Sequence, residues 1–152
     1  MVARMVAEEQ AGALGRVYRE IRSKMALDVV PNVFKAMAAV NPDVLIQNWT
    51  AYRRTVLEGE LPRWVKEMIG LVVARASSGD YGLEFHAAEL ERLGIDQIAV
   101  AQLEEQGESP AVTAAVSSLL RFAVDFARDP DRTDTSLLEA AGLSEEQVQE
   151  VM

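Results

Sequence analysis

A chain of 152 residues, 49% apolar with a mean hydropathy of +0.01, has the size of one ordinary domain and enough apolar surface to bury a core, which excludes a disordered chain. Fifteen basic against 24 acidic residues give a net charge of −9, so no nucleic acid and no membrane surface is expected as a partner, because both attract basic faces. The absence of cysteine and the presence of one histidine, His86, exclude disulfides, thiol nucleophiles and Cys-ligated metals in this chain. They also leave too few soft ligands for a metal site, and no cofactor is expected.

The amino-terminal residues lack the apolar core of a signal peptide. The densest apolar patch, Leu71-Val72-Val73-Ala74, is far short of the ~20 residues that a membrane span needs. A cytoplasmic protein is expected.

The apolar spacing is helical throughout, with no alternating run to suggest a sheet. A first helix is expected from about Glu8 to Met25, with Leu14, Val17, Ile21 and Met25 on one stripe. Pro31-Asn32 opens a second through Phe34 and Met37. Asn41 can cap a third that begins at Pro42 and runs to Gly59. Pro62 starts the fourth, which Ser77-Ser78-Gly79-Asp80 ends. A fifth is expected from about Gly82 to Leu93, closed by Gly94. Asp96 can cap a sixth, Pro110 opens a long one through Phe126, and Ser144-Glu145-Glu146-Gln147 is a capping-box pattern for the last. No repeat or linker interrupts them, so one all-α domain spanning 1–152 is expected.

The fourth helix is apolar nearly all round, which normally means burial in the domain or against another subunit. Glu67 is the only carboxylate between Glu60 and Asp80. At ~100° per residue it lies near Arg63, Gly70 and Ala74, opposite the Val65–Ile69–Val72–Ala76 stripe. Two readings stand: Glu67 is covered and needs a partner for its charge, or it is solvated and paired with Arg63. On the fifth helix, His86 shares the inward face with Leu83, Ala87, Leu90 and Leu93. Such a residue is either a hydrogen-bonded core histidine or the chain's best candidate for general acid–base work.

Together, Lys66-Glu67, Gly79-Asp80-Tyr81-Gly82 and Leu83-Glu84-Phe85-His86 resemble the AhpD-like alkylhydroperoxidase and carboxymuconolactone decarboxylase family. Val30-Pro31-Asn32-Val33-Phe34, Asn41-Pro42-Asp43-Val44-Leu45 and Leu120-Arg121-Phe122-Ala123-Val124-Asp125-Phe126-Ala127 resemble flanking segments of its peroxidase-related branch. The resemblance implies an AhpD-like helical bundle that assembles as a homotrimer or homohexamer. It implies a site in which Glu67 and His86 hold the positions of the family's glutamate and histidine, with Tyr81 between the motif positions. The family's Cys-x-x-Cys pair falls on Gly79 and Gly82. With both thiols gone the peroxidase cycle has no nucleophile, and the hydroxyls of Ser77 and Ser78 cannot replace a disulfide cycle.

Three functions follow from that resemblance. A degenerate member would bind a small ligand or partner without turnover. A structural oligomer would use the apolar fourth helix as its interface. A non-thiol enzyme of decarboxylase or lactone type would use a Glu67–His86 proton relay, with the N–H groups of Gly82 and Leu83 holding a small anionic substrate.

Overall fold

The computed structural model describes residues 12–132 and 134–152, and every described element is helical. Two compact units divide the chain, Met1–Glu58 and Gly59–Met152.

The first unit contains α1 (Ala13–Met25), α2 (Asn32–Val40) and α3 (Pro42–Tyr52). The expected stripe of α1 is inward, and Tyr18 joins Ile21 and Met25 in full burial. The part of the first helix expected before Gly12 lies outside the described residues. Asn41 caps α3 as its sequence implies, its side-chain oxygen accepting from the Asp43 N–H at 2.9 Å. Burial here combines aliphatic side chains with an aromatic cluster. Phe34 meets Trp49 edge-on at 5.7 Å and Tyr52 edge-on at 5.6 Å, while Trp49 and Tyr52 stack at 6.1 Å. The tryptophan is therefore a core residue and not part of a ligand cage. After Tyr52 the chain does not continue as a regular α-helix to Gly59. It widens into a π-helical turn, Arg53–Leu57, and Arg53 ties that turn to α1 through Glu20 at 2.6 Å.

The second unit carries α4 (Arg63–Ala76), α5 (Asp80–Arg92), α6 (Gln97–Gln106), α7 (Ala114–Arg128), a 3-10 turn at Pro130–Arg132, α8 (Ser136–Ala140) and α9 (Glu145–Val151). Helix α4 is its axis and touches α5, α6 and α7. Its Val65 lies in a cluster with Leu119, Phe122, Leu138, Val148 and Val151, and its Met68, Leu71 and Val72 lie in another with Leu90, Leu103 and Leu120. These two clusters explain why the sequence of α4 has no polar face.

Local chemistry sets most boundaries. The Asp96 carboxylate accepts from the Ile98 and Ala99 N–H groups, and the Ser144 capping box is complete. Two boundaries differ from expectation. Helix α7 begins at Ala114 and not at Pro110, because the Thr113 hydroxyl caps it by accepting from the Val116 N–H. Helix α5 begins at Asp80, two residues early, because the Gly79 carbonyl already accepts from the Leu83 N–H. At its far end Leu93 is half exposed, not inward.

Helix α9 is clasped onto the start of α4. The Glu150 carboxylate accepts from the Glu60 N–H at 2.6 Å and the Leu61 N–H at 3.0 Å, and pairs with the buried Lys66 ammonium at 2.7 Å. Gly59, at φ +107°, leaves room for it, since a Cβ there would overlap the carboxylate. Burial raises the carboxyl pKa of Glu150. The Lys66 hydrogen bond, the two N–H groups and the Lys66 charge outweigh it, so the group sits below the ordinary carboxylate range.

Candidate functional site

Helices α4 and α5 run antiparallel, and four contacts set their register. Arg63 meets Glu89, Glu67 meets His86, Gly70 meets the His86 ring, and Ala74 meets Gly82. The Arg63–Glu67 face of α4 is thus covered by α5 and not by solvent.

Glu67 is fully buried and both its oxygens are engaged. Its Oε2 lies 2.8 Å from His86 Nδ1, and its Oε1 accepts from Arg63 Nε at 3.3 Å. Neither sequence reading of Glu67 holds alone, since it is covered and also paired with Arg63. Arg63 reaches on to Glu89, another buried carboxylate, which Arg92 contacts at 2.8 Å from the next turn. A line of alternating charge therefore runs Glu67–Arg63–Glu89–Arg92 across two helices, with His86 hydrogen-bonded at its Glu67 end. One guanidinium bridging two buried carboxylates uses the planar fork geometry that a lysine lacks.

His86 is one-fifth exposed. A carboxylate can only accept, so Nδ1 donates to Glu67, while the Cε1–Nε2 edge of the ring lies over Gly70. Gly70 makes this placement possible. A Cβ built there would lie 2.4 Å from His86 Cε1 and 2.5 Å from Nε2, so the imidazole occupies space that any larger residue would fill. Sequence reasoning missed both Gly70 and Arg63's second partner. An isolated glycine inside a strongly helical pattern was the available signal for the first.

The two glycines that the resemblance aligns with the family's thiol positions are not equivalent. Gly79 has φ −93°, open to any residue, and an added Cβ would meet only the Ala74 carbonyl at an ordinary 3.6 Å. Gly82 is pressed on α4, where an added Cβ would lie 2.9 Å from the Cβ of Ala74. Tyr81 sits further out. It is half exposed and stacks on Phe85 at 6.3 Å, and Phe85 stands edge-on to His86 at 5.3 Å. Tyr81 therefore reaches the histidine through a second ring. The Leu83 N–H is spent on the Gly79 carbonyl at 3.0 Å, which removes it from the pair of anion donors expected at this helix start.

Among the described residues, no three of His, Cys, Asp or Glu group as metal ligands, and no helix is long and apolar enough to cross a membrane. A cavity of about 230 Å³ is present, but on another face of α4. None of Glu67, Tyr81 or His86 lines it.

An all-α protein with a buried carboxylate–histidine pair shared by two antiparallel helices is the class that fold and site define. The chain belongs to the carboxymuconolactone decarboxylase family, whose model matches residues 44–125, more than half of its length. A peroxidase-related protein from Silicibacter sp. TM1040 has a similar fold, with TM-score 0.84 and 22% identity over 99% of this chain and 79% of that one. The debrominase Bmp8 is also similar in fold. A cysteine-to-alanine variant of it in complex with 2,3,4-tribromopyrrole gives TM-score 0.79, and its apo form gives 0.78, each at 19% identity over 99% of this chain and 80% of the other. A search of curated proteins finds no significant match.

Proposed function

We propose that this chain is a non-peroxidatic member of its family, a homo-oligomeric cytoplasmic protein that binds a small anionic ligand, or serves its assembly, without turnover. The observation that carries this reading is the closure of the α5 start. The Ala74 methyl occupies the place into which a side chain at 82 would project, which supports a site closed by packing at this helix start. The absence of any cysteine removes the nucleophile of the thiol peroxidase cycle. Ligand binding without a complete thiol set has a parallel in the similar fold of Bmp8, where a variant lacking a cysteine is in complex with a small molecule.

One observation favours a second reading, a cofactor-independent enzyme of decarboxylase or lactone type. The Glu67–His86 hydrogen bond at 2.8 Å keeps a proton-transfer pair assembled, with Nε2 free to give or take a proton. In that reading Glu67 orients the imidazole, His86 moves the proton, and Tyr81 borders the substrate.

The single histidine permits a clean test. Side-chain ¹⁵N NMR of His86 is followed as a γ-lactone carboxylate is added, while product is assayed in the same tube. A shifted His86 signal without product supports a binding protein, and an unmoved signal with a trimeric or hexameric mass by light scattering supports the assembly role. Product formation that disappears in Glu67→Gln overturns the proposal in favour of the relay enzyme.

A further inference from the structure

The face of α4 opposite Glu67 borders a separate, solvent-open cavity of about 230 Å³ between α4, α7 and the end of α6. At ~30 Å³ per water it holds the equivalent of about seven or eight waters. That is below the ~300 Å³ at which drug-sized pockets begin, so its occupant is a small metabolite.

Its lining is of three kinds. Val72, Leu120 and Val124 are apolar; Arg75, Arg121 and Arg128 bring three guanidinium groups; Asp125 and Glu108 bring two carboxylates. On α7 the spacing Arg121, Asp125, Arg128 places plus, minus and plus along one helical stripe. In a chain of net charge −9 with 24 acidic residues, arginines should be the first groups to find carboxylates. Here they have not. Among the described residues Arg121 and Arg128 take part in no ion pair, although Asp125 stands four residues from one and three from the other. Arg75 spends one N–H on the Glu105 carbonyl at 2.7 Å, closing the end of α6, and a guanidinium has five donors.

We infer that this cavity is a binding site for a small zwitterion, an α-amino acid with an apolar side chain. Its carboxylate meets the Arg121 and Arg128 guanidiniums, which recognise that planar group bidentately. Its ammonium faces Asp125 and Glu108, and its hydrocarbon part covers Val72, Leu120 and Val124. A simple anion would leave two carboxylates facing it, and an apolar ligand would leave the lining charges, most of them exposed, without a matching group. The zwitterion uses all three kinds of lining. This site is distinct from the Glu67–His86 pair and does not depend on the function proposed for that pair.

The test is a ¹H–¹⁵N NMR titration of the full chain with L-valine, against isovalerate and isobutylamine, which carry the carboxylate or the ammonium alone. Saturable shifts confined to residues around Arg75, Gly107 and Arg121 are expected, with L-valine binding at least tenfold more tightly than either half-ligand. Arg121→Gln and Arg128→Gln, both at exposed positions, should each raise the dissociation constant at least tenfold while leaving the His86 signal unmoved. Isovalerate binding as tightly as L-valine overturns the zwitterion assignment. So does L-valine shifting His86 and not Arg121, or failing to saturate by 20 mM, or binding equally to both variants.

Discussion

Gly70→Ala tests whether the space over α4 is what seats the histidine. The new methyl would lie 2.4–2.7 Å from Cε1, Nε2 and Nδ1 of His86, so the ring must leave. Overpacking of this kind costs ~1–3 kcal/mol. Loss of a hydrogen bond to a buried carboxylate adds ~1.5–3 kcal/mol, and alanine returns ~1 kcal/mol of helix propensity. The net expectation is a loss of ~2–4 kcal/mol, measured as a fall in the urea midpoint by circular dichroism. With His86→Ala already present, the obstruction is absent, and Gly70→Ala should then stabilise the protein by ~0.5–1 kcal/mol. That change of sign isolates the contact, as a double-mutant cycle is meant to do. An unchanged or higher midpoint for Gly70→Ala alone, or the same penalty in both backgrounds, would refute the reasoning.

Arg63→Ala withdraws the group shared by two buried carboxylates, and a loss of ~3–5 kcal/mol is expected in chemical denaturation. Arg63→Lys should recover only part of it, since a point charge cannot bridge both acids. Gly82→Cys should lower stability by ~1–3 kcal/mol, whereas Gly79→Cys should change it by under ~1 kcal/mol; equal effects in the same denaturation series would contradict the contact with Ala74. The low Glu150 pKa predicts an acid-sensitive clasp. A carboxyl group with a lower pKa folded than unfolded adds stability that is fully present above the unfolded value of ~4.3 and is lost as pH falls through the folded one. Stability measured from pH 7 to pH 3 should therefore fall, and Glu150→Gln should be less stable at pH 7 with a shallower fall. A variant curve parallel to the wild type would show that Glu150 is not the group involved.

The helices were legible wherever a short side chain acts on its own backbone. Asn41, Asp96 and Ser144 cap where their sequences say they should, because capping needs only neighbouring residues. Thr113 was less visible because Pro110 offered an equally reasonable start three residues earlier. The π-helical turn at Arg53–Leu57 left no sequence mark, since the residues that hold it, Arg53 and Glu20, are 33 positions apart. At the site, spacing brought Glu67 and His86 onto adjacent helices but could not bring them into contact. Their meeting depends on the α4–α5 register, which is set by what is missing at Gly70 and Gly82. Packing around an absent side chain is a property of two helices together, and periodicity along one does not report it.

The seat of Gly82 on Ala74 also orders the mutational history open to this chain. A cysteine could be accommodated at position 79 in one step, but at position 82 it would arrive in a place already filled. Residue 74 would have to shrink first, a change that brings no chemical gain by itself and weakens a helix interior. With the methyl and the hydrogen set against each other, a route to side chains at both positions passes through less stable intermediates. The packing therefore makes residue 74, which carries no functional group, the position that decides whether residue 82 can hold a side chain.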